Sequence, residues 1–457
     1  MFLKSINPVN GKVGKKYKLD TEKQVSRKIN KASAAWEHWK KTPFDERKGF
    51  MLKTAEILRN EKKHLAGLMA IEMGKPVKEG IVEIEKCATV CEYYAANGES
   101  FLQDKLIEAG ASKSYVSYQP LGVVLAIMPW NFPFWQCFRF IAPALIAGNC
   151  GLLKHASNVP GCALAIQDVL KKAGFPSGVF QTLMVSSKEI HRVIENPVIK
   201  AVTLTGSTEA GKAVAQQAGG LIKKTVLELG GSDPYIILED ADLDYAAGVC
   251  AESRLINNGQ SCIGAKRIIV IKEREKEFVR LLKNKMESFK IGDPFDSETQ
   301  LGPMASVKQR DGVHQQVLKT VEDGAKCILG GYIPNEEGEH AFYVPTILVN
   351  VKKGMLTYED EIFGPVASII TAKNKEEAIK IANDSVFGLG AAIFTENIRE
   401  GERIAREEIQ SGSCFVNTLV KSDPRLPFGG INLSGYGREL SFFGIKEFVN
   451  IKTVLIK

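Results

Sequence analysis

Apolar positions recur at two different periods along this chain, and the change of period divides it. Toward the N-terminus they fall three or four residues apart, as at Met51, Ala55 and Leu58. That spacing gathers them on one helix face and predicts helix across 21–60, 61–73 and 77–97. Within the first of these, Thr42 suits an N-cap, Pro43 a first helical position and Asp45 the positive end, so a new helix is predicted to begin there. Residues 112–120, Ser-Lys-Ser-Tyr-Val-Ser-Tyr-Gln-Pro, alternate with period two and predict a strand, as do residues 448–456. A late strand with no neighbour of its own suits pairing with another subunit, or an ordinary sheet edge.

From residue 122 short apolar runs alternate with helical patterns. Strands are predicted at 122–128, 150–154, 180–184, 201–205 and 225–229, with helices near 134–147 and 160–173. A second cycle runs from 239 to about 420, with strands at 267–271, 366–371 and 391–395. This alternation predicts an α/β fold with parallel sheets and crossover helices.

The length of 457 residues allows two or three domains. With 44% hydrophobic and 25% charged residues the chain has the composition of a soluble globular protein. The net charge of +7 is mild and at most favours anionic ligands. Its one dense basic run, 12–18, reads as a solvated loop, so no nucleic-acid partner is expected. Nine cysteines form no CxxC pair and no cluster at zinc spacing, so no metal is expected; Cys87 and Cys91 read as core. The start lacks the apolar core of a signal peptide, and no apolar run is long enough for a membrane span. The expectation is a reduced, cytoplasmic protein without a membrane partner.

Candidate chemistry lies where strands end. Cys262 follows a Gly-Gln-Ser turn in Asn-Asn-Gly-Gln-Ser-Cys-Ile-Gly. It is either an inert small hydrophobe or a nucleophile, and a nucleophilic cysteine needs a base or backbone donors to act. Glu228 ends a predicted strand before Gly230-Gly231, facing a cleft or solvent. Asn131, in Pro-Trp-Asn-Phe-Pro, offers a side-chain donor to a developing oxyanion, or an N-cap to the next helix. Thr205-Gly206-Ser207 opens a helix whose first N–H groups attract phosphate. The stretch 206–213 comes near a P-loop, but Ala213 replaces the hydroxyl that would hold magnesium, which argues against nucleotide hydrolysis.

Taken together and in order, 129–133, Lys154, 205–207, 228–231, 259–262, 361–365, 427–430 and 434–439 resemble the NAD(P)-dependent aldehyde dehydrogenase superfamily over nearly the whole chain. The resemblance implies two Rossmann-like α/β domains plus a small β oligomerisation element. Residues 1–110 and 122–230 would bind the cofactor, 231–432 would form the catalytic domain, and 111–121 with 433–457 the oligomerisation element of a dimer or tetramer. It implies Cys262 as nucleophile, Glu228 as the base that activates water, and Asn131 with the Cys262 N–H as oxyanion donors. On the cofactor side it implies Trp130, Thr205, Gly206, Ser207, Glu361 at the nicotinamide ribose, Phe363 near the nicotinamide and Lys154 at the adenine-side ribose. Many members carry an acid three residues after that lysine. Here the position is Ser157, which removes a charge that would repel a 2′-phosphate, so NADP is expected to serve at least as well as NAD.

Trp135 and Arg139, four apart, share a helix face. The run 134–140 with 422–427 is similar to bacterial succinate-semialdehyde dehydrogenases. That implies succinate semialdehyde as substrate, its carboxylate bound by Arg139 through paired hydrogen bonds. A structural salt bridge is the alternative use of Arg139, and a broad short-chain aldehyde range is the alternative function. Leu419, in the opposing loop, adds no second anchor. Gly264 stands where some such enzymes carry a second cysteine, so a local disulfide switch is not expected.

Overall fold

A computed structural model describes residues 2–334 and 340–457. The helix Glu22–Trp39 starts at Thr21 through a capping box, the Thr21 hydroxyl accepting from Gln24 N–H and the Gln24 side chain accepting from Thr21 N–H. The next helix, Phe44–Met73, is continuous across the break expected at 60. Its N-cap position is held by Pro43 rather than Thr42, because the Thr42 hydroxyl turns back to donate to His38 C=O of the preceding helix at 3.4 Å. Gly74 ends it at φ 77, a left-handed turn that returns the chain into the helix Val77–Leu102.

The first sheet runs in the order Gly435–Tyr436, Lys224–Glu228, Ile199–Thr205, Val123–Met128, Cys150–His155, Phe180–Thr182. Five strands are parallel and only the Gly435–Tyr436 edge is antiparallel. Helices cover both faces of such a sheet, which is why Val-Val-Leu-Ala-Ile-Met at its centre is apolar without alternation. The chain lays strands outward from Val123–Met128 in one direction, then returns to lay Ile199–Thr205 on its other side. That reversal opens a crevice beyond the carboxyl ends of these two strands.

A second sheet runs in the order Lys326–Leu329, Thr346–Val349, Val366–Ala372, Arg267–Ile271, Pro234–Ile237, Gly390–Phe394, Ser413–Val416, with only the first strand antiparallel. It begins at Pro234, earlier than the sequence pattern indicated. The third sheet is antiparallel: Lys105–Leu106, Lys113–Pro120 and Val449–Ile456. The C-terminal strand therefore has a neighbour in its own chain, in register from Val449 opposite Pro120 to Ile456 opposite Lys113. Leu106, Ile451 and Leu455 on this sheet are exposed. Gly435–Tyr436, which lies inside the 433–457 segment, pairs instead with Leu227 and Glu228 of the first sheet.

Among the described residues no helix is long and apolar enough to cross a membrane, and no group of His, Cys, Asp and Glu could hold a metal ion.

Candidate active site

Two cavities meet at Cys262. One, of about 240 Å³, is lined by Trp130, Asn131, Thr205, Gly206, Ser207, Glu361 and Phe363 among others. The other, of about 100 Å³, is lined by Lys86, Phe132, Trp135, Arg139, Leu419 and Ser422 among others. Cys262 and Gln136 belong to both.

The loop that presents the thiol is bolted down by amides. Asn257 and Asn258 sit at φ 55 and 58, a region asparagine tolerates better than most residues. The Asn257 amide donates to Asn131 C=O at 2.7 Å and to Gln260 C=O at 3.0 Å. Asn258 donates to Gly74 C=O and Pro303 C=O and accepts from Gly302 N–H. The Cys262 carbonyl accepts from Lys266 Nζ at 2.6 Å, while its N–H donates to no described residue. Burial pushes the Cys262 thiol up to about 12, against the opposing pull of Lys266 and then Arg139. The group is therefore a thiol at neutral pH and needs a base to become a thiolate.

Asn131 is buried, and its amide donates to Gln260 C=O at 3.0 Å, which leaves its second N–H for another acceptor. It does not cap the helix Trp135–Ile146, whose N-cap is Phe134. Glu228 ends its strand fully buried, and its Oε1 has no hydrogen-bond partner among the described residues. Burial first and the nearby Glu439 second hold its carboxyl well above the usual range, with Arg139 and Arg438 opposing. Arg139 lines the smaller cavity, but its Nε lies 2.7 Å from Glu439 Oε2, and both side chains are buried. The two charges thus face each other, while Arg139 Nε and Nη2 and both Glu439 carboxylate oxygens make no hydrogen bond among the described residues.

On the other side, Glu361 lies 2.9 Å from the buried Lys266 ammonium and accepts from Gly231 N–H at 3.2 Å. A Cβ on Gly230 would stand 2.5 Å from Glu361 Oε2, so a larger residue there would make this carboxylate shift. Phe363 stacks edge-on against Trp130 at 5.7 Å. The Thr205 hydroxyl is buried without a partner among the described residues. Gly206 N–H is taken by Glu228 C=O at 3.0 Å, and Ser207 caps the helix Thr208–Gly220. Lys154 is buried at the end of its strand, and burial lowers its pKa; Ser157 is exposed in the turn that follows. Neither is among the residues lining the two cavities; both sit at the carboxyl edge of the first sheet.

The model of the aldehyde dehydrogenase family matches residues 1–454. The chain belongs to the aldehyde dehydrogenase family. Over 100% of both chains it is 48% identical to a probable succinate-semialdehyde dehydrogenase [NADP(+)] of Synechocystis sp.. It is 47% identical, again over 100% of both, to the succinate-semialdehyde dehydrogenase [NADP(+)] of Mycobacterium leprae. The solved structure of succinic semialdehyde dehydrogenase from Streptococcus pyogenes in complex with NADP+ is 37% identical with a TM-score of 0.97, covering 99% of each chain.

Several residues of this aldehyde dehydrogenase site were not picked out from sequence. Gln136 and Gln309 line the larger cavity, Lys266 pins Glu361 and the Cys262 carbonyl, and Lys86 and Ser422 line the smaller cavity. Glu439 stands in a stretch that carried the resemblance, yet nothing in one dimension pairs it with Arg139. A lysine four residues after the cysteine was the one local signal available for Lys266.

Proposed function

We propose that this enzyme oxidises succinate semialdehyde to succinate, using NADP at least as well as NAD. The observation that carries the reading is the place of Cys262 at the junction of a cavity between the sheets and a small cavity walled by cations. The full-length likeness to enzymes named for that substrate and cofactor supports it.

The residues present fit a dinucleotide. The crevice at the strand-order reversal holds an unpartnered Thr205 hydroxyl, the capped N-terminus of a helix and the Glu361 carboxylate, with the Lys154 ammonium nearby at the sheet edge. Glu361 suits ribose hydroxyls, Trp130 and Phe363 a flat ring, and Lys154 with Ser157 a 2′-phosphate.

In the reaction the Cys262 sulfur bonds to the aldehyde carbon as its proton passes to solvent water. The carbonyl oxygen becomes an alkoxide, which accepts from the Cys262 N–H and from the Asn131 N–H that Gln260 does not use. One such donor is worth roughly 100–1,000-fold in rate. When bound, the oxidised nicotinamide supplies the acceptor for the hydride that this carbon loses. The acyl group stays on sulfur as a thioester. Glu228, the unpartnered carboxylate, takes a proton from water, whose oxygen adds to the thioester carbon and releases the acid and the cysteine.

Residues 1–110 and 122–230 serve the cofactor, except Lys105–Leu106, which pair with the 111–121 arm; 231–432 supply the nucleophile; and 111–121 with 433–457 serve oligomerisation, except Gly435–Tyr436, which pair with the first sheet. The exposed Leu106, Ile451 and Leu455 of the third sheet support a homo-oligomer, dimer or tetramer. Nine free cysteines support a reducing compartment, the cytoplasm.

A broad short-chain aldehyde range is the second reading, and one observation favours it: Arg139 is already paired. Steady-state rates with succinate semialdehyde and butanal, each with NADP and NAD, separate the two. A kcat/KM for butanal equal to that for succinate semialdehyde overturns the first reading.

A further inference from the structure

We propose that Glu79 is a positioning residue for the nucleophile, its carboxylate holding the Asn257 N–H and thereby setting the loop that carries Cys262 against the loop that carries Asn131. The proposal rests on the reading of Cys262 as nucleophile and Asn131 as oxyanion donor. It names a residue that lines neither cavity and keeps those two groups in line.

The loop needs such a hold. Asn257 and Asn258 occupy the left-handed region in succession, at φ 55 and 58, a conformation that costs free energy unless its surroundings impose it. Glu79 Oε2 accepts from the Asn257 N–H at 2.9 Å, at the residue where the left-handed pair begins. The Asn257 amide in turn donates to Asn131 C=O and Gln260 C=O, and the Asn131 amide donates to that same Gln260 carbonyl. Cys262 follows Gln260 by two residues. The chain of bonds thus runs from Glu79, through one backbone N–H, to both sides of the place where the alkoxide forms.

The second loop is pinned to the same helix. Glu83 stands four residues after Glu79 in the helix Val77–Leu102, on the same face. Its Oε1 accepts from Phe134 N–H and Trp135 N–H, both at 2.9 Å, and so closes the end of the Asn131 loop where Phe134 offers no side-chain cap. The buried Lys75 ammonium pairs with the other oxygen of Glu83 and lies 4.1 Å from the centre of the Phe132 ring. Two carboxylates about 6 Å apart along one helix axis therefore hold the two loops in register. Burial raises the Glu79 carboxyl to about 7, against Lys75, the Asn257 N–H and Lys78, with Glu83 adding to the rise. Above that pH the Asn257 N–H meets a charged acceptor, which binds it more strongly than a neutral one. Below it, Glu79 is a neutral acid with a weaker hold.

The test is kcat and KM of the full-length enzyme with saturating NADP, for succinate semialdehyde and for butanal, from about pH 6 to about pH 8, in the wild type, Glu79→Gln and Glu79→Ala. A misplacement of about 1 Å costs about a hundredfold in rate. Glu79→Ala removes the acceptor and should lower kcat about ten- to a hundredfold for both aldehydes alike, with KM nearly unchanged and NADP binding, read by fluorescence titration, intact. Glu79→Gln keeps an oxygen for the Asn257 N–H and should recover most of the loss; it serves as the reporter if Glu79→Ala does not fold. The ratio of wild-type to Glu79→Gln kcat should exceed one above about pH 7 and approach one below it, because only the wild-type group takes up a proton there. Cys262 and Glu228 titrate in both enzymes and cancel in that ratio. A wild-type kcat in Glu79→Ala, no recovery in Glu79→Gln, or a ratio that does not move with pH overturns the proposal. Turnover that survives in Cys262→Ala sinks the reading beneath it, whereas a Cys262-dependent enzyme whose Glu79 variants match the wild type sinks the Glu79 assignment alone.

Discussion

Replacing Arg139 with methionine keeps much of its stem and removes its charge from beside Glu439. The two side chains are 3% and 5% exposed, so the surface-pair value of at most about 1 kcal/mol does not apply. Removing one partner of a buried pair costs about 3–5 kcal/mol, because the other charge stays behind without a partner. Here the penalty has a pH dependence whose sign is determined. Burial already raises the Glu439 carboxyl above its ordinary range, and Arg139 is the main influence holding it down. Without Arg139 it rises further, so the folded variant binds a proton that the unfolded chain releases. The penalty is then absent below the unfolded carboxylate value and grows as pH rises toward the folded one. Denaturation midpoints of wild type, Arg139→Met, Glu439→Gln and the double variant, at about pH 5 and about pH 8, measure it. The double variant should be more stable than Arg139→Met alone at the higher pH, and both aldehydes should lose activity together. A pH-independent loss under about 1 kcal/mol, joined to a selective rise in KM for succinate semialdehyde, would refute the bridge and return Arg139 to the substrate.

Cys262→Ala should abolish aldehyde oxidation while cofactor binding, followed by fluorescence or calorimetry, persists; retained turnover sinks the mechanism. Glu228→Gln should trap acyl-enzyme, read as added mass on Cys262 by intact-protein mass spectrometry. Because the Glu228 carboxyl is held above its usual range, deacylation should rise with pH as it ionises, and that rise should be missing in the Gln variant. With the Cys262 thiol pushed up to about 12, alkylation of the free enzyme by iodoacetamide should speed up about tenfold per pH unit through neutrality, and a plateau near pH 7 would contradict it. Ser157→Glu should sharply lower kcat/KM with NADP and leave NAD equal or better, since it sets a carboxylate against the phosphate; an unmoved cofactor ratio would place that choice elsewhere in the adenosine pocket.

Much of this was legible in one dimension. Short apolar runs located five of the six strands of the first sheet but three of the seven in the second, because strands buried on both faces are apolar throughout while the short strands of the second carry little pattern. Cys262, Asn131, Glu228 and Thr205 stood out because each sits at a strand end or tight turn, where side chains reach a cleft, whereas Glu361 came only from the family resemblance. The start of the second helix was misread, since Thr42 and Pro43 both have cap chemistry and only the path of the preceding helix decides between them. Long-range electrostatics was the least visible. Arg139 and Glu439 are far apart in the chain, and so are Lys86 and Ser422, and no local pattern says which cation a buried carboxylate will claim.

The pairing of Gly435–Tyr436 with Leu227 and Glu228 has a consequence for how the enzyme is made. Leu229 N–H donates to Ser434 C=O, and the Ser434 hydroxyl donates to Gly230 C=O, so the segment that carries the base is tied to a stretch about two hundred residues downstream. While the ribosome is still translating, the strand Lys224–Glu228 is an open edge with one side of its backbone unpaired. The first sheet closes only when residues 434–436 have emerged, so a chain that stops before them exposes both a sticky edge and an unfinished base.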